Sequence, residues 1–194
     1  MDRGRPGSGR LVARAGTLVI ATGSAPSLPD LLAPGLSLVF CGINPGLRAA
    51  ASGHHFEGRG NRFWRAIHLA GFTDELIAAE DDRSLLQYGC GLTTAVPRAT
   101  ARADELSRAE IVAAASAFEQ KIERFAPRYL AFLGKSALSA MSGQREIDWG
   151  PQAASFGGAR VWVLPNPSGL NRSFSLDALV AAYRELRLAV AAQH

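Results

Sequence analysis

Cysteine is nearly missing from this chain. The two present, Cys41 and Cys90, stand far apart with no CxxC or Cys/His ligand spacing. That argues against a disulfide framework and rules out four-cysteine iron–sulfur ligation, so reduced thiols and a cytoplasmic location are expected. Lysine is equally scarce: Lys121 and Lys135 are the only two, and the positive charge behind the net +4 is almost all arginine. Arginine grips phosphate in a bidentate fork, so the balance permits a nucleic-acid partner without demanding one. Long hydrophobic runs are absent as well, and no stretch approaches the ~20 apolar residues that cross a bilayer. Internal repeats and low-complexity blocks are missing too. No glycine-rich phosphate loop follows the first strand, which counts against a nucleotide-binding domain.

What remains is the composition of an ordinary globular protein, with 47% hydrophobic and 20% charged residues in a chain of 194, enough for one domain with a sizeable core. Residues 1–27 differ in character, with Arg3, Arg5, Arg10 and Arg14 among Gly and Ser. A disordered basic tail is expected there, followed by a single domain over 28–194.

Leu36 to Cys41 is a short unbroken apolar run, the pattern of a strand buried on both faces of a parallel sheet. It ends at Gly42, and Ile43-Asn44-Pro45-Gly46 then presents an amide side chain on a tight turn, where open α/β sheets bind their ligands. Arg48 to Gly60 reads as a loop holding one large ring, Phe56. The adjacent His54 and His55 lack a third ligand at metal spacing and read as solvated loop residues. From Asn61, the spacing of Phe63, Trp64, Ile67 and Ala70 predicts a helix with a buried stripe, and a second short helix is expected over 82–88. Gly89 to Thr94 reads as a glycine-broken loop. Ser107 and Glu110 form a capping box that opens a long helix ending before Pro127. A strand over 128–133, a helix over 134–141, a strand over 160–164 and a last helix from about Leu176 to near Val190 complete the pattern. Strands alternating with helices predict an α/β fold, a three-layer α/β/α sandwich with a short, mainly parallel central sheet.

The strand at 160–164 runs into Pro165-Asn166-Pro167-Ser168-Gly169-Leu170-Asn171-Arg172, a second proline-framed turn presenting an asparagine. If the two strands are parallel and close, Asn44 and Asn166 face one cleft. Asn-Pro is also a common turn former, so a merely structural turn stays open at this point.

Four blocks, CGINPG (41–46), NRFW (61–64), YGCGLT (88–93) and LPNPSGL (164–170), occur in order. On these the chain, from Leu31 to about Leu188, resembles the mismatch-specific uracil and thymine DNA glycosylases, the Mug and thymine-DNA-glycosylase branch of the uracil-DNA glycosylase superfamily. The resemblance implies a monofunctional glycosylase, without metal or cofactor, that removes uracil from G·U mispairs in double-stranded DNA. It implies a monomer in the cytoplasm, associated with the bacterial nucleoid and not with a membrane. Asn44 would hold the attacking water and Asn166 would take the place of a histidine found in faster relatives. Phe56 would stack on the extruded base, with backbone amides near Ile43, Gly46 and Phe56 on its edge. Ala49 stands where the bacterial Mug type has a serine and thymine-processing relatives an alanine, which implies room for 5-substituted uracils. Ser168, Gly169, Leu170, Asn171 and Arg172 would form the wedge that fills the vacated gap and meets the widowed guanine. Thr94 departs from the lysine or asparagine of relatives and reads as a loop-capping hydroxyl. A duplex-binding, damage-sensing protein with weak or no cleavage is the alternative, since neither site turn holds a carboxylate or an imidazole.

Overall fold

The computed structural model describes residues 28–192. The basic segment expected over 1–27 lies outside them. Five strands form one sheet in the order β2-β1-β3-β5-β4: β1 (Leu38–Gly42), β2 (Cys90–Thr94), β3 (Tyr129–Leu133), β4 (Gly150–Phe156) and β5 (Ala159–Leu164). All neighbours pair in parallel except β4, which runs antiparallel to β5 at the edge.

Side chains of the central strands alternate between two cores, as the twofold pleat requires. On one face Leu38, Phe40, Tyr129, Ala131 and Leu164 pack with α2 (Phe63–Leu69), α5 (Leu176–Ala191) and the 3-10 helix Ala79–Tyr88. On the other, Val39, Cys41, Leu130, Phe132 and Val163 pack with α3 (Arg108–Phe125) and α4 (Lys135–Ser142). The sandwich is therefore three layers deep, as expected. Both thiols are free and buried in it; burial pushes Cys90 up to about 12 and Cys41 higher, which favours the protonated thiol.

The structure corrects three local expectations and adds one element. Residues 48–60 are not all loop, because α1 (Leu47–Ser52) occupies their start and turns Ala49 and Ala50 inward. Residues 90–94 are a fully buried strand in register with β1. Gly91 suggested a loop, but it marks a close approach: a Cβ there would lie 2.6 Å from both Leu31 O and Leu36 Cδ1. The edge strand β4 had no sequence signal, since GPQAASF is mostly exposed and holds Pro151, tolerated only at an edge. Finally, His55 is buried at 2% exposure rather than solvated.

Candidate active site

The chain runs from β1 outward to β2 and returns to β3 on the other side of β1, which opens a crevice at the carboxyl ends of the strands. A cleft of about 420 Å³ lies there, lined by Ile43, Asn44, Gly46, Ala49, Phe56, Thr94, Leu133, Asn166, Ser168, Leu170 and Asn171. The last residues of β1, β2 and β3 reach it, and the turn after β5 brings Asn166 to it. Asn44 and Asn166, from strands flanking β3, thus share one cavity. Of the anticipated residues, Gly169 and Arg172 do not line it.

Asn44 is held in a single orientation. Its Nδ2 donates to Arg98 O at 2.8 Å and to Thr100 Oγ1 at 2.7 Å. A carbonyl can only accept, so the amide cannot be flipped. The Thr100 hydroxyl spends its own proton on Arg102 O at 2.7 Å and so accepts from Asn44. Among the described residues, nothing donates to Asn44 Oδ1, which remains an acceptor. Backbone bonds lace the same turn to the following segment: Ala95 N to Gly42 O, Val96 N to Ile43 O, Thr100 N to Pro45 O and Leu47 N to Thr100 O. Arg98 is itself anchored by Glu110 Oε1 at 2.7 Å. Glu110 is also the capping-box acid at the start of α3, and these hydrogen bonds hold its carboxyl down at about 2. Neither Arg98 nor Thr100 was legible as a site residue, because their partner lies more than fifty positions upstream.

Phe56 is the cleft's aromatic wall. Its φ of 55° lies in the left-handed region, costly for a bulky L residue and a recurrent mark of functional sites. The ring stacks on Phe63 with centroids 3.9 Å apart and an interplanar angle of 22°. Phe63 is in turn set edge-on against Phe40 and Trp64. The NRFW block thereby supplies both core and a rigid backing for Phe56.

His55, buried yet on the cleft lining, fixes the loop. Its amide donates to Asp82 at 2.8 Å, its carbonyl accepts from Trp64 Nε1 at 3.1 Å, and its Nε2 lies 2.7 Å from Pro29 O, which assigns the proton to that nitrogen. Burial pushes its pKa down and keeps it neutral. Thr94 closes a strand instead of capping a loop, and its side chain faces the cleft. Glu57 is a carboxylate at the rim, yet hydrogen bonds from Ser52 and Arg48 lower its pKa and hence its basicity.

On the far wall, Asn166 Oδ1 accepts from Ser168 N at 2.8 Å, closing an Asx turn, and its Nδ2 has no acceptor among the described residues. Asn171 Nδ2 bonds back to Asn166 O at 2.9 Å. The turn lifts Leu170 clear of the surface at 74% exposure. Arg172 is exposed beside it.

A mainly parallel α/β/α sheet thus carries an asparagine turn at the end of two strands, with an aromatic wall and an exposed apolar finger around one cleft. A family model of the uracil DNA glycosylase superfamily matches residues 29–187, and the chain belongs to that superfamily. Members are DNA glycosylase hydrolases, so the class of chemistry is uracil excision from DNA. The fold is also similar to a solution NMR structure of a candidate uracil DNA glycosylase from Methanosarcina acetivorans, with a TM-score of 0.54 and 20% identity over 84% of this chain and 98% of that one.

Proposed function

We propose that this protein is a mismatch-specific glycosylase of the Mug and thymine-DNA-glycosylase branch, which extrudes uracil from G·U mispairs in duplex DNA and hydrolyses its glycosidic bond. The observation that carries this reading is the fixed Asn44 amide, whose acceptor end is unspent in a cleft walled by Phe56. Extrusion costs a few kcal/mol and least at a mispair, so mispaired uracil is favoured before any pocket contact forms. The flipped ring lies along Phe56. The C1′–N1 bond then breaks with its electron pair leaving on the base, and water oxygen joins C1′ while its proton goes to solvent.

Asn44 Oδ1 accepts a hydrogen bond from that water and aims it. An amide takes no proton at neutral pH, so Asn44 positions water without activating it. General-base catalysis is commonly worth about 10²- to 10⁴-fold, and a slow enzyme dependent on a good leaving group is expected. Asn166 Nδ2 supplies a donor near the departing base, where negative charge develops. Ala49, buried on α1 against the cleft, leaves space for a 5-substituent. Leu170 occupies the gap in the stack, with polar groups of 168–172 beside the orphan guanine.

Incubating the protein with a duplex containing one G·U pair, then treating with alkali, tests the reading. Strand scission at the uracil is the expected result, stronger opposite G than opposite A. Retarded but intact DNA would instead identify a damage-binding protein without cleavage, and no interaction would contradict both.

A further inference from the structure

One half-buried arginine stands behind the finger and pairs with no acid among the described residues. Arg62, in the NRFW block just before α2, spends its guanidinium on backbone carbonyls of the 165–174 turn alone. Nε donates to Pro167 O at 3.3 Å, Nη1 to Phe174 O, and Nη2 to Ser168 O at 2.9 Å and Asn171 O at 2.8 Å. The Arg62 amide adds a bond to Pro167 O at 3.1 Å. A cation ringed by neutral carbonyls is a costly way to stabilise a core, where apolar packing does as well. It is an effective way to fix the shape of a loop, because each charge-assisted bond is short and directional.

A second contact brings the same loops together. Gly169 crosses Gly60 so closely that a Cβ on Gly169 would lie 2.7 Å from Gly60 O. With the carbonyls of 167, 168, 171 and 174 drawn inward to Arg62, the segment between 168 and 171 has to bow outward, and its apex is Leu170.

We infer that Arg62 is the positioning residue of the Leu170 finger, acting on extrusion through the loop and not on the base itself. The inference rests on the proposed glycosylase reading. Lysine cannot replace Arg62, since a compact ammonium lacks the planar fork that reaches several carbonyls at once.

The test compares single-turnover cleavage of uracil opposite guanine with uracil opposite a tetrahydrofuran abasic analogue, where pairing no longer opposes extrusion. R62Q and R62K should lose about 10- to 100-fold on G·U and little on the abasic duplex, because small misplacement of a positioning group costs that much. L170A should show the same pattern, and R62Q/L170A should be no slower than L170A, as expected for residues acting as one unit. R62K, which keeps the charge but loses the planar fork, keeps the inference testable should R62Q fail to fold. Equal losses on both duplexes, or additive losses in the double variant, would overturn it. A binding readout separates this failure from failure of the enzyme reading: preference for a duplex with the abasic analogue opposite G over a fully paired duplex. Wild type that prefers it without cleaving loses the enzyme reading, and loss of that preference in R62Q still supports the inference. Preference retained in R62Q overturns the inference.

Discussion

Asn44, His55 and Ala49 each act through one atom or its absence. In the proposed mechanism Asn44 is useful because its donors are consumed by Arg98 and Thr100, which leaves its oxygen as the acceptor of a residue that lines the cleft. Its place after the first strand was legible in the sequence; the partners that orient it were not, since they come from a segment brought alongside only by sheet pairing. His55 was misread because an imidazole in a Gly-rich loop looks solvated until Asp82, Trp64 and Pro29 close around it. Its folded pKa lies below the ordinary value of 6.5 because burial disfavours the charged ring. The unfolded chain then takes up this proton first, so stability is full above pH 6.5 and is lost as the pH falls through the folded value. Urea midpoints of wild type should therefore drop more steeply between about pH 7 and 5 than those of His55→Gln; parallel slopes would show that His55 is not the group responsible. At Ala49, the proposed space for a 5-substituent predicts that Ala49→Ser lowers thymine release relative to uracil release. An unchanged ratio of the two rates would count against that role.

Elements were legible where a local pattern settles them. The capping box of Ser107 and Glu110 lies where expected, and α3, α4, α5, β3 and β5 follow within a few residues of their predicted bounds. The capping box does more than open a helix, because Glu110 also holds Arg98 and so steadies the carbonyl that orients Asn44. Elements defined by tertiary contact were not legible. Strand β2 looked like a loop because Gly91 carries no side chain to signal burial, although the strand needs that glycine to pass under Leu31 and Leu36. Gly91→Ala should destabilise the fold by about 1–3 kcal/mol, the usual cost of forcing atoms into a packed core. Equilibrium urea unfolding measures it, and a neutral substitution would mean that Leu31 and Leu36 move aside freely.

At the scale of the whole molecule, the sheet order places two asparagine turns on strands that flank β3 and gathers them at one end. Neither turn forms the cleft alone. Joined by the Phe56 loop and the Leu170 finger, they give a cavity with an aromatic wall, an oriented acceptor and an apolar projection at its mouth.

Single-turnover cleavage of a G·U duplex by wild type and Asn44→Ala tests the central claim most directly. A fall of about 10²-fold, with duplex affinity retained, is the predicted result for loss of a group that positions the attacking water. Equal rates for the two proteins would remove Asn44 from the reaction and contradict the proposed mechanism.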